Sequence, residues 1–108
     1  MTTGDIIPIL FPFTNFVNRK LRPTVVVCET QDIYKDVVLC AISSVLPTVL
    51  SINEILLKPD KTNGLRKNSV LKTDRIVTAQ SQDIISVLGK LSESDLQNFK
   101  IKFKLLVD

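Results

Sequence analysis

Arg22 stands directly before Pro23 and an apolar run, Thr24-Val25-Val26-Val27-Cys28. A permanently charged, forked guanidinium at the mouth of an extended segment is suited to a phosphate. The same placement also describes an ordinary surface arginine. Ser43-Ser44 directly follows a second apolar run, residues 37–42. Small hydroxyls there can contact a phosphate or a reacting hydroxyl, or can cap the turn that ends a strand. In an extended reading of residues 70–74, Lys72 and Asp74 project to the same face. A base or proton relay beside a cation could support phosphoryl transfer, and the pair equally fits a surface ion pair of little energetic weight.

Composition narrows the chemistry. The 108 residues contain no histidine. That excludes a Ser-His-Asp triad, histidine-zinc sites and a two-histidine nuclease. Cys28 and Cys40 alone cannot make a four-ligand zinc site. Cys28 closes the first apolar run and Cys40 lies within the second, so both are expected to be buried, reduced and used as small hydrophobes in a cytoplasmic protein. The opening residues lack a basic region, so no secretory signal is expected, and no apolar run is long enough to cross a membrane. The length fits one domain, residues 1–108. The net charge of +3 is unevenly placed: residues 58–75 hold six cations against Asp60 and Asp74. Arg19-Lys20-Leu21-Arg22 forms a second basic cluster. Such clusters attract phosphates or simply keep a surface solvated.

These residues need elements to position them. Residues 4–11 read as a first strand, with Pro8 at an edge because proline cannot donate to a ladder. Gly4-Asp5 reads as a fixed turn at the base. Residues 12–21 carry turn chemistry and read as a long exposed loop. Strands are expected at 24–28 and 37–42, and shorter ones at 52–57, 68–73 and 75–78. The central runs do not alternate, so both faces must be covered, one by a core and the other by a helix or a second subunit. A short helical piece is expected at 82–88, ended by Gly89. Ser92 is the N-cap of a final helix, with Leu91 and Leu96 as its hydrophobic staple. Leu96, Phe99, Phe103 and Leu106 make its apolar stripe. Strands first and helices last point to a mainly β (α+β) fold, a small barrel with a C-terminal helix.

Together these segments resemble the MazF/PemK family of toxins of type II toxin–antitoxin systems. The resemblance lies in Gly4-Asp5-Ile6-Ile7 with Pro12-Phe13-Thr14, in Lys20-Leu21-Arg22-Pro23-Thr24-Val25-Val26-Val27, in Cys40-Ala41-Ile42-Ser43-Ser44, in Ser69-Val70-Leu71-Lys72-Thr73-Asp74-Arg75, and in Leu88-Gly89-Lys90-Leu91-Ser92. It spans nearly the whole chain in the right order. It implies an SH3-like barrel, shared with the CcdB-like branch, and a homodimer. It also implies a sequence-selective endoribonuclease that cuts single-stranded RNA, mainly messenger RNA, without metal or cofactor. In that reaction the RNA's own 2′-hydroxyl attacks the adjacent phosphorus, leaving a 2′,3′-cyclic phosphate and a 5′-hydroxyl.

The family's catalytic residues carry over to Arg22, to Ser43 in place of the commoner threonine, and to Asp74. Lys72 stands where some members have arginine. The loop Thr14–Lys20 corresponds to one that lies over the RNA groove. Thr14, Arg19 and Lys20, with Ser44 and Lys72, are therefore the expected RNA-binding residues. Residues 15–20 hold neither the acid nor the histidine found there in many members. The expected protein partner is an acidic, partly disordered antitoxin that folds on binding and whose complex with the toxin binds DNA. Two alternatives share the barrel: a gyrase-binding poison and an inactive barrel kept for antitoxin binding. Arg22-Pro23 together with Ser43-Ser44 favours the nuclease.

Overall fold

Unalternated apolar strands require cover on both faces, and the fold supplies it. The computed structural model describes residues 1–10 and 21–108. Its strands are β1 (Asp5–Leu10), β2 (Leu21–Glu29), β3 (Val37–Ser43), β4 (Glu54–Leu57), β5 (Ser69–Ala79) and β6 (Gly89–Lys90). They form one curled half-barrel sheet of antiparallel neighbours, in the order β4-β5-β3-β2-β1-β6. A single α-helix, α1 (Glu93–Lys104), follows. The architecture is mainly β, as expected.

One face of the sheet buries Ile6, Val25, Cys40, Ile42 and Leu71 against Phe99 of α1. The other carries a second cluster, Ile7, Ile9, Val26, Val37 and Leu39, with Ile84 packed on it from the segment after β5. The helix begins where its cap dictates: the Ser92 side chain accepts from the Asp95 amide at 3.2 Å. Leu91 and Leu96 both pack into the helix-side core, as a staple should.

Gly4 takes a positive φ of 95°. This lets its amide donate to the Val26 carbonyl while its own carbonyl accepts from Leu91. Asp5 closes the same turn by accepting from the Thr2 amide at 2.9 Å. The turn at the base is therefore structural. Pro8 faces Pro23 on β2. On its other side β1 meets β6 only at Asp5 and Ile6, so Pro8 lies where β1 is an edge.

Four expectations need correction. Residues 68–73 and 75–78 are one strand, β5. Its register against β3 jumps, so that Cys40 pairs with Ile76 and Ala41 with Lys72. Thr73, Asp74 and Arg75 are the excess on the β5 side. Residues 82–88 are not a helix. Only Ser81–Asp83 form a 3-10 turn, and the Leu88 amide donates to the Ile6 carbonyl at 2.8 Å as the chain enters β6. Pairing with β1 thus takes the backbone bonds a helix would have used, and Gly89 is a strand residue. A Cβ there would collide with the Thr62 carbonyl. Cys28 is exposed, because a register shift between Val26 and Cys28 turns the end of β2 outward. Lys72 does not pair with Asp74; its partner is Glu54, described next.

Candidate active site

β2 and β3 bring the first two candidates together. Thr24 lies opposite Ala41 and Val25 opposite Cys40. The ladder ends at Thr24 and Ala41, and Arg22 and Ser43 each lie two residues beyond it at the same end of the sheet, on the face turned away from α1. Arg22 is half-buried and lies opposite Ile9 of β1. Ser43 is half-buried, ends β3 and lies opposite Val70 of β5. Its Oγ accepts from the Val45 amide at 3.1 Å. That bond caps the turn and also uses the hydroxyl as acceptor, which leaves its O–H to donate outward. Ser44 follows, exposed.

Lys72 occupies the neighbouring row of the same face, between Ala41 of β3 and Glu54 of β4. Its Nζ donates to Glu54 Oε2 at 3.1 Å. Glu54 also accepts from the Ser51 amide at 2.8 Å. That amide, and then the Lys72 ammonium, hold its carboxyl below the ordinary range. Lys72 therefore reaches the site face as one half of an ion pair. Glu54 was not among the expected site residues. An acid set in the run Ile52-Asn53-Glu54-Ile55-Leu56-Leu57 was the available signal, since a carboxylate in a buried strand needs a partner.

Asp74 lies on the excess of β5, exposed, with Asn53 Nδ2 donating to it at 3.5 Å. The neighbouring Thr73 is buried and pinned, its amide and its hydroxyl both donating to the Asn53 carbonyl at 2.9 Å. The excess thus has a fixed shape that pushes Asp74 out. The Cys40 thiol donates to the Thr73 carbonyl at 3.5 Å. Burial, and then the Asp74 charge, push that thiol up to about 12. It is no nucleophile near neutrality.

The structure thus puts Arg22 and Ser43 at the same end and on the same face of the sheet, adds Lys72 with its acid in the next row, and leaves Asp74 at the bulge of β5. Thr14, Arg19 and Lys20 lie outside the described residues. Among the described residues no group of three histidine, cysteine or acidic side chains could hold a metal ion. Nor is any helix among them long and apolar enough to cross a membrane.

Comparison with known proteins bears on the family and the fold. Residues 2–107 match the family described as PemK-like, MazF-like toxin of type II toxin-antitoxin system. A mycobacterial endoribonuclease solved in complex with its cognate antitoxin superposes with a TM-score of 0.75 at 13% identity, over 100% of this chain and 97% of that one. The Mycobacterium tuberculosis toxin MazF-mt6 superposes with a TM-score of 0.68 at 19% identity, over 94% and 93%. At such identities the likeness is one of fold. No curated protein matches the chain in sequence.

Proposed function

The chain belongs to the PemK-like, MazF-like toxins of type II toxin–antitoxin systems, and on that premise we propose that it is a metal-independent endoribonuclease acting on single-stranded RNA in the cytoplasm. What supports the proposal is the β2–β3 register, which, carried two residues past Thr24 and Ala41, leads to Arg22 opposite Ser43. It brings a permanent cation and an outward-donating hydroxyl to the same end of one open face.

The reaction needs little else. The 2′-oxygen of the RNA bonds to the adjacent phosphorus, and its proton passes to solvent water. The bond from phosphorus to the 5′-oxygen breaks, and that oxygen takes a proton from water. The products are a 2′,3′-cyclic phosphate and a 5′-hydroxyl. Negative charge builds on the non-bridging oxygens of the phosphorane. The Arg22 guanidinium stabilises it by charge and by two parallel hydrogen bonds. Ser43 donates one further bond. Asp74, exposed at the bulge, places the RNA. Lys72 adds positive potential from the next row, reduced by Glu54.

The exposed apolar surface supports a homodimer. Val45, Val49 and Ile52 before β4, and Ile101, Leu105 and Val107 at the end of the helix, are all exposed. Lys102 Nζ donates to the carbonyls of Ile52 and Glu54 at 3.2 and 3.3 Å, which fastens the helix to the chain at the start of β4. A surface of that kind on a small protein marks a protein contact. An acidic antitoxin is the second partner, matched to the basic surface.

Incubating the purified protein with a long RNA and a metal chelator tests the reading. Fragments ending in a cyclic phosphate support it. Intact RNA together with inhibited DNA gyrase would replace it with the gyrase-poison alternative.

A further inference from the structure

The richest cluster of cations lies apart from the residues named so far, on the loop that joins β4 to β5. Lys58, Lys61, Arg66 and Lys67 are all exposed. The one acid on this loop is Asp60. Its Oδ1 accepts from the amides of Thr62 and Asn63, both at 2.8 Å, so its charge is turned into the loop's own backbone. Among the described residues none of the four cations forms an ion pair.

The loop is built, not loose. Asn63 is fully buried. Its Nδ2 donates to the Lys58 carbonyl at 2.8 Å, and its Oδ1 accepts from the amides of Asp60 and Leu65 at 3.2 and 3.0 Å. The Thr62 carbonyl accepts from the Lys90 amide at 2.9 Å, which fastens the loop to β6. Leu65 then packs against the core, and Ser69 is buried at the start of β5 with its hydroxyl donating to the Lys67 carbonyl at 3.0 Å. Arg66 and Lys67 are thus presented on a short bridge between the partly buried Leu65 and the buried Ser69. Pre-set backbone lowers the ordering cost of binding.

Its position matters as much as its rigidity. Leu57 pairs with Ser69, and Val70 with Ser43. The bridge therefore leaves the sheet at the same end as Ser43 and the start of β2 with Arg22. No large apolar side chain from residue 58 to residue 75 is exposed, so the loop offers cations without an apolar anchor beside them. It also holds no aromatic residue on which a base could stack.

We propose that Arg66 and Lys67 bind the phosphodiester backbone of single-stranded RNA outside the reacting nucleotides, extending the RNA contact past the end of the sheet that carries Arg22 and Ser43 without reading bases. This rests on the endoribonuclease reading. Phosphate contacts add affinity and register but carry no sequence information.

The test replaces both cations, Arg66→Gln with Lys67→Gln, and compares a long single-stranded RNA with the shortest oligonucleotide the wild-type protein still cuts. The expected variant cuts at the same positions, but KM on the long RNA rises roughly 3–10-fold, and the slope of log affinity against log salt falls by about 1.4, near 0.7 for each charge. The advantage of long over short RNA shrinks accordingly. Arg66→Lys with Lys67→Arg keeps both charges and should restore the salt slope, which separates a charge effect from a folding defect. An unchanged salt slope and an unchanged long-to-short ratio overturn the proposal while leaving the nuclease reading intact. Weaker binding of poly-glutamate with RNA binding unaltered overturns it in favour of an acidic protein. A wild-type protein that neither binds nor cuts RNA removes the nuclease reading itself.

Discussion

Lys72 and Glu54 face each other across the pairing of β5 with β4, Nζ to Oε2 at 3.1 Å, with the Glu54 side chain only 10% exposed. This pairing decides what Lys72 can offer a phosphate. It also ties the site face to the start of β4, because Glu54 accepts from the Ser51 amide as well. The Glu54 carboxyl is held below its ordinary 4.5. A carboxyl depressed in the fold stabilises it above its unfolded pKa, and that contribution is lost as pH falls below it. Glu54→Gln should therefore lower Tm near neutrality, and the gap from wild type should close as pH falls from about 7 to about 3. Thermal melts across that range check it. A gap independent of pH would mean that the charge of Glu54 is not what stabilises the pair.

The two cysteines should differ sharply in reactivity. Cys28 is exposed and Cys40 is buried, with a thiol pushed up to about 12. A thiol reagent at mildly alkaline pH should modify one cysteine per native chain, mapped to Cys28 by mass spectrometry, and the second only on unfolding. Modification of Cys40 at the rate of Cys28 would contradict the placement of β3 in the core.

Asn63→Ala should be among the most damaging single changes outside the apolar core. It leaves the Lys58 carbonyl and the amides of Asp60 and Leu65 without their partner. The expected loss is about 3 kcal/mol, or a fall in Tm of roughly 12 °C or more. Denaturant titration and calorimetry read it directly. A loss well under 1 kcal/mol would show that water replaces the amide at no cost.

The apolar surface beside the helix end predicts the oligomeric state. Wild-type protein should sediment near twice 12.1 kDa at micromolar concentration. Val49 and Val107 are among its most exposed members, at 80% and 88%. Replacing both with lysine should give a folded monomer. A wild-type protein that is monomeric throughout that range contradicts the dimer.

Much of this fold is readable in the residues. The β-branched runs at 24–28 and 37–42 read as strands because no helix tolerates them well. Ser92, Leu91 and Leu96 announce the helix start through chemistry local to a few residues. The misreadings share one cause, long-range pairing. Residues 82–88 carry a plausible helix ending at Gly89, yet the Leu88 amide finds Ile6, eighty-two positions away in the chain. Cys28 sits in an apolar run, but the register shift in β2 depends on β3. The site divides the same way. Arg22 before its proline and Ser43 at a strand end are local patterns, whereas Glu54 as the partner of Lys72 follows from β4 lying against β5. The spacing of Lys72 and Asp74 misleads because the β5 excess begins between them.

Arg22 is the one permanent charge assigned to the reacting phosphate, and one comparison tests that role most directly: RNA cleavage by wild type and Arg22→Ala, with a metal chelator present and fragment ends analysed chemically. The predicted result is cyclic-phosphate ends from wild type. Arg22→Ala should be slower by ~10²–10³, the loss of a charge positioned on the phosphorane, with an unchanged melting curve. Ser43→Ala should be slower by only ~10–10², and Ser43→Thr should stay active. An Arg22→Ala protein that cuts at the wild-type rate and leaves the same ends would contradict the account.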